Sequence, residues 1–216
     1  MLAMAVVTAA CLFLPAGTLA WWNAWVFMGG GIALVALLTG SVFHKAPDLV
    51  HERQTAGQRA KVWDRVLGPT LAGVLPLSSN IVAGLDKRLG WTTGIEAALS
   101  LFGLGVMLVG MAITFRAMQS NRFFSSHVRI QHDRGHVVVD QGPYRVIRHP
   151  GYAGTILYNL GAPILLGSSV AFWIGVAIAV LFVVRTALED RTLRAELDGY
   201  SDYARRVRFR LLPLIW

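Results

Sequence analysis

Long uncharged apolar runs separated by short basic blocks constrain this chain more than any motif it carries. Residues 1–43, 66–85 and 151–184 contain no Asp, Glu, Lys or Arg, and 93–118 contains only Glu96 and Arg116. Runs of this length suit membrane-spanning helices, which need about 20 predominantly apolar residues. Only 15% of the 216 residues are charged, against roughly 25% in a soluble domain. Apart from Lys87 and Arg88, every Lys and Arg falls in one of three blocks, 44–65, 116–150 and 185–216. A nucleic-acid binder spreads its basic residues along a polar face. Here the blocks flank apolar runs, as the positive-inside rule requires. No nucleic-acid partner is expected, and membrane lipids are the surrounding medium. The expected fold is an all-α integral membrane protein of about six spans, with both termini and all three basic blocks in the cytoplasm.

Taken in order, helices are expected over Met1 to Ala16, Trp22 to Phe43, Val66 to Leu85, Thr93 to Met118, Gly151 to Gly167 and Ser169 to Val184. The first run is short, lacks the basic start of a signal peptide, and reads as a helix. Trp21, Trp22 and Trp25 suit an aromatic belt. Gly29-Gly30-Gly31 allows a close helix neighbour. Pro76 should kink the third helix, with Ser78, Ser79 and Asn80 satisfying freed backbone groups. Asp86-Lys87-Arg88 reads as an outer turn. Gly103-Leu104-Gly105 follows no strand, so helix packing is a better reading than a dinucleotide fingerprint. Pro163 should break the fifth helix. Val128 to Ile130 and Val137 to Val139 bracket Asp133-Arg134-Gly135 and predict a small hairpin. The sixth helix should run on into water to Leu197, with Arg185–Glu189 and Asp190–Arg194 pairing at four-residue spacing and Leu188, Leu193 and Leu197 turned to the membrane. The pattern divides the chain into an N-terminal region, 1–118, with four spans and a cytosolic loop at 44–65, and a C-terminal region, 119–216.

The chemistry is concentrated in the second region. Gly142-Pro143-Tyr144-Arg145-Val146-Ile147-Arg148-His149-Pro150-Gly151-Tyr152 is a stiff polar segment ahead of an apolar helix. Its arginines suit a carboxylate; positive-inside anchoring is the plainer alternative. Glu189 and Asp190 lie at the far end of the helical hairpin that follows, with Tyr203 beyond. A hairpin returns both ends to one membrane face, so the two sets should meet across a cleft. Acids for an ammonium, arginines for a carboxylate and tyrosines for a flat ring would suit a zwitterionic amino-acid moiety. His132 and His136 lack a third ligand at sensible spacing, and the lone Cys11 permits neither an intrachain disulfide nor a Cys-based metal site; no metal is expected.

The segments GPYRVIRHPGYAG, EDRTL and GYSDYARRVRFRLLP together resemble the C-terminal half of the isoprenylcysteine carboxyl methyltransferase family, over residues 119–216 with Asn121-Arg122-Phe123-Phe124 as a looser part. That family is related to the membrane phospholipid N-methyltransferases, and the stretch from Pro47 to Arg65 looks like its bacterial members. The resemblance implies an S-adenosylmethionine-dependent methyltransferase built within the bilayer. It also implies cofactor contacts from Tyr144, His149, Tyr152, Glu189, Asp190, Tyr203, Arg206 and Arg210, and catalytic roles for Arg145, Arg148 and Glu189. The family's usual second glutamate is Asp190 here. A lipophilic substrate would enter sideways from the bilayer and the cofactor from the cytosol, with the protein in the cell's inner membrane. The competing enzyme reading is an NADPH-dependent reductase of the sterol-reductase type. The competing non-enzyme reading is a small transporter or assembly factor, which the scarcity of mid-bilayer polar residues disfavours.

Overall fold

The computed structural model describes residues 2–38, 60–94 and 96–216. Among these, the helices are α1 (Leu2–Ala16), α2 (Trp22–Leu38), α3 (Asp64–Leu89), α4 (Ala97–Ser120), α5 (Pro150–Leu166), α6 (Ser169–Glu196) and the short α7 (Tyr200–Arg206). The expected end of the second helix at Phe43, and most of the first basic block, lie outside the described residues. The chain is an all-helical integral membrane protein. By length and composition α3, α4 and α6 can cross a membrane. The other three of the six expected spans, α1, α2 and α5, have 15, 17 and 17 residues. Large apolar side chains such as Leu101, Phe102 and Val109 of α4 and Trp173 and Val180 of α6 face outward, as a lipid-contacting surface demands.

Apolar burial drives little helix association in lipid, so close packing must supply the attraction. Helices α4 and α5 obtain it from glycine. A Cβ on Gly103 would lie 2.5 Å from the Leu165 amide nitrogen, one on Gly110 2.5 Å from the Gly154 carbonyl oxygen, and one on Gly161 2.6 Å from the Met107 nitrogen. Gly103 is therefore a packing residue, as expected, while Gly105 faces open space. Gly84 does the same for α3 against α1, where a Cβ would meet the Leu12 carbonyl at 2.5 Å. Of the triple glycine in α2, Gly30 approaches Met107 of α4, whereas a Cβ on Gly29 or Gly31 would point into open space.

Several local expectations are corrected. Pro163 does not break α5, which continues to Leu166 and stops at Gly167 in the left-handed conformation. Proline leaves the carbonyl four residues back without its helical donor. That carbonyl, of Asn159, lies where a Cβ on Gly175 of α6 would be 2.4 Å away, so the helix–helix contact absorbs the irregularity. In α3 a π-helical turn, Thr70–Val74, precedes Pro76. The hydroxyls of Thr70 and Ser78 donate to the Val66 and Val74 carbonyls around it. Asp86 is not in an outer turn but in the last turn of α3, where it is buried and accepts from the Thr92 amide, the Thr92 hydroxyl and the Ser168 hydroxyl. It ties the end of α3 to the α5–α6 turn.

No strand forms at the expected hairpin. A three-residue 3-10 turn at His132–Arg134 sits where the loop was expected, but the Val128 N–H donates to Asp64 and the Val128 carbonyl accepts from the Lys61 amide. A residue whose backbone groups are taken by another segment cannot ladder, whatever its β propensity. Leu193 and Leu197, expected on the membrane side, instead pack with Tyr200, Tyr203 and Val138 and hold α7 against the end of α6.

The glycine seam generates a test. Gly154→Leu, at a site where a Cβ already meets Thr114 Oγ1 and the Gly110 carbonyl, should destabilise the protein by about 1–3 kcal/mol or more. Gly105→Ala should be neutral or stabilising by up to about 1 kcal/mol. Thermal unfolding in detergent reads both.

Candidate functional site

The site is built where α5 begins. Pro150 occupies the first turn of α5, where its missing N–H costs no helical bond. The two residues ahead are pinned by the tail, since the Arg148 amide donates to the Phe209 carbonyl and the His149 amide to the Arg210 carbonyl, both at 2.9 Å. The Arg148 side chain then occupies all its donor nitrogens. Nε and Nη2 donate to the two carboxylate oxygens of Asp190 at 2.7 and 3.2 Å, and Nη1 donates to the Val207 and Arg208 carbonyls. Asp190 is 1% exposed and also accepts from Tyr200, Arg194 and Arg210, with His149 Nε2 at 3.6 Å. A buried carboxylate is tolerated only when so surrounded.

Glu189, one residue earlier on α6, turns the other way. Its Oε2 accepts the Tyr152 hydroxyl at 2.5 Å. The Tyr152 ring is stacked on His149 at 5.7 Å and packs on Phe182. Glu189, Tyr152 and His149 therefore line one cleft, together with Tyr144, Tyr203 and the inner edge of Arg148. These six of the ten expected site residues lie together along one cleft. Four others do not line it. Asp190 and Arg210 lie behind the cleft in the ion-pair cluster, Arg206 is exposed and paired with Asp140, and Arg145 is exposed. The expected Arg185–Glu189 pair is replaced by Arg185–Asp64 at 2.8 Å, whereas Asp190–Arg194 forms as expected at 3.1 Å.

Part of the wall comes from residues outside the expected set. Asn121, Phe124, His127, His136 and Tyr200 also line the cleft. Asn121 and Phe124 belong to the looser part of the resemblance, the signal that points to them, and Tyr200 lies in the same tail motif as Tyr203. Asn121 donates to the Tyr144 hydroxyl, and the Tyr203 hydroxyl donates to the Tyr144 carbonyl. Burial pushes the Tyr144 and Tyr203 phenols well up, and burial followed by the Asp190 charge does so for Tyr200, so all three remain neutral. His136 is held down at about 4, first by burial and then by Arg129, His132 and Arg134. Its neutral Nδ1 accepts the Gln131 amide. Among the described residues no three His, Cys, Asp or Glu side chains gather in a group that could hold a metal.

Comparison with known proteins matches this region. The sequence profile of the isoprenylcysteine carboxyl methyltransferase (ICMT) family matches residues 103–195. These residues are similar to that family, over a little less than half of the chain. The chain is 33% identical over 115 residues to protein-S-isoprenylcysteine O-methyltransferase A of Arabidopsis thaliana, covering 50% of this chain and 57% of that protein. It is 29% identical over 114 residues to the B protein of the same plant, with the same coverage. The protein-S-isoprenylcysteine O-methyltransferase of Schizosaccharomyces pombe is 30% identical over 107 residues, 48% of this chain and 45% of that protein. The chain thus spans about half the length of the curated relatives it matches. The structure of the eukaryotic intramembrane Ras methyltransferase ICMT superposes with a TM-score of 0.59 at 22% identity, covering 97% of this chain and 73% of that one, so the two share a fold. The matched stretch includes the α4–α5 glycine seam, His149 and Glu189; Asp64, Tyr200, Tyr203 and the tail lie outside it.

Two expectations follow. Arg148→Ala would leave Asp190 buried without its closest cation, and loss of one partner of such a pair costs about 3–5 kcal/mol. Thermal unfolding should fall steeply, with Arg148→Lys recovering little because it lacks the forked donors. The folded state holds His136 below its unfolded value of 6.5, so its neutral form favours folding fully above about pH 6.5 and that contribution is lost as pH falls toward 4. Melting temperatures across this window should decline with acid, and less steeply in His136→Gln.

Proposed function

We propose that this chain is an S-adenosylmethionine-dependent methyltransferase acting on a lipophilic acceptor at the membrane surface. The observation that carries the reading is the Glu189 carboxylate, presented at the cleft wall by Tyr152 on a stretch similar to the ICMT family. The donor set fits the cofactor: a carboxylate for the amino-acid ammonium, and the aromatic faces of Phe124 and Tyr144 for an adenine ring or a sulfonium. The group would supply an electrophilic methyl on a sulfonium, ready for in-line displacement by an oriented nucleophile.

The chain's own residues position and enclose. Glu189 would hold the ammonium, with Tyr152 and His149 fixing that carboxylate. Tyr144 and Tyr203 close the tail side and, being neutral, place no charge beside the reacting centre. Arg148 holds the frame together through Asp190. An acceptor carboxylate is already anionic and needs no base, whereas an amine acceptor would need one, for which Glu189 and His149 are candidates. The relatives are named for an isoprenylcysteine O-methyltransferase activity. The acceptor class that best suits this chain is accordingly a carboxylate on a lipophilic carrier, reaching the cleft from the bilayer. The basic segments around the site support a cytoplasmic-facing cleft, and the reading puts the protein in the inner membrane.

Incubating the detergent-solubilised protein and lipid extracts with methyl-labelled S-adenosylmethionine, followed by mass spectrometry, tests the reading. Label should enter a lipophilic product. Glu189→Ala should lose at least about a hundredfold in affinity for S-adenosylhomocysteine, in line with removal of a desolvated charge-assisted contact, while melting within a few degrees of wild type. Normal binding by that variant, or binding of NADPH in place of S-adenosylhomocysteine, overturns the proposal.

A further inference from the structure

Asp64, at the start of α3, lies outside the stretch matched to the ICMT family and does not line the cleft, yet it is wholly buried. Both its oxygens are used. Arg185 Nε donates to Oδ1 at 2.8 Å, and Arg185 Nη2 donates to Oδ2 at 3.1 Å, a forked pair. Oδ2 also accepts the Val128 amide at 2.7 Å. The Arg185 Nη2 donates a second time, to the Ser126 carbonyl at 2.8 Å. The Arg185 guanidinium stands over the Tyr152 ring, 5.1 Å from its centroid. Three neighbours therefore fix that ring: His149 on one side, Phe182, and the Arg185 cation. The Tyr152 hydroxyl holds Glu189.

We propose that Asp64 is a positioning residue for the cleft carboxylate: it fixes Arg185, Arg185 fixes the Tyr152 ring, and Tyr152 aims Glu189. The same carboxylate also accepts the amide of Val128, another lining residue. Lys61 reinforces this, since its amide donates to the Val128 carbonyl at 3.0 Å. Arginine is required in the middle, because only a planar fork can grip a carboxylate edge-on and lie over a ring. The proposal rests on the methyltransferase reading for what Glu189 holds, but the chain of contacts stands on the structure alone.

The test is a double-mutant cycle on S-adenosylhomocysteine affinity in detergent. Asp64→Asn presents an amide donor to partners that are themselves donors, and should weaken binding about tenfold. Asp64→Glu keeps the charge and should recover most of the loss. In a Tyr152→Phe background, where the hydroxyl to Glu189 is already gone, Asp64→Asn should cost less than about twofold more, because residues in one network are not additive. Should Asp64→Asn fail to fold, Arg185→Lys carries the same cycle with the same expected pattern. Equal losses in both backgrounds overturn the proposal, since they mean that the residue acts through general stability. Failure of wild-type protein to bind S-adenosylhomocysteine overturns the methyltransferase reading and this inference with it, whereas wild-type binding that Asp64→Asn leaves intact overturns this inference alone.

Discussion

The polar half of this protein hangs on one buried carboxylate, Asp190. Arginines from three places reach it: Arg148 from the α5 entry, Arg194 from its own helix and Arg210 from the tail. Burying a charge is unfavourable by several kcal/mol unless its hydrogen-bonding positions are filled. The arrangement therefore has little tolerance for partial assembly. Helix α6 must extend beyond the apolar run to bring Asp190 out, α5 must start at Pro150 to aim Arg148, and the tail must fold back to supply Arg210. The cleft is what remains on the other side of that junction, where Glu189 faces outward from the cluster that Asp190 closes.

This separates two adjacent acids that look equivalent in sequence. On a helix, consecutive residues point about 100° apart, so Glu189 and Asp190 cannot serve one ligand equally. The shorter side chain sits in the crowded cluster, where aspartate's reach suffices, and the longer one extends into the cleft. Aspartate carries the charge the cluster needs and is short enough to sit within it.

Much of the frame was legible because it is written in local patterns. Uncharged runs announced the helices, proline and glycine marked α5's ends, and the hairpin of α5 and α6 implied that residues near 149 and 189 would meet. What escaped was long-range competition for polar groups. Arg185 and Glu189 have the right spacing for a helical ion pair worth a few tenths of a kcal/mol. A buried forked partner at Asp64 offers a stronger, desolvated interaction, and it lies 121 positions away. The misread hairpin has the same origin, since Val128 gives its amide to Asp64 and its carbonyl to Lys61. Arg148, expected to face a ligand, is taken by carbonyls of the tail. In each case side-chain chemistry was recognisable, but which partner would win depended on burial that only the fold decides.

The rungs that join Arg148 and His149 to Phe209 and Arg210 have a bearing on biosynthesis. Chains emerge from the ribosome N-terminus first, so α4, α5 and their glycine seam can be seated in the bilayer while the tail that pins the α5 entry is still inside the exit tunnel. Throughout that interval Arg148 has neither its tail carbonyls nor the full set of groups around Asp190. Assembly of the lipid-embedded scaffold and assembly of the cleft are thereby separated in time, with the second waiting on the arrival of residue 210.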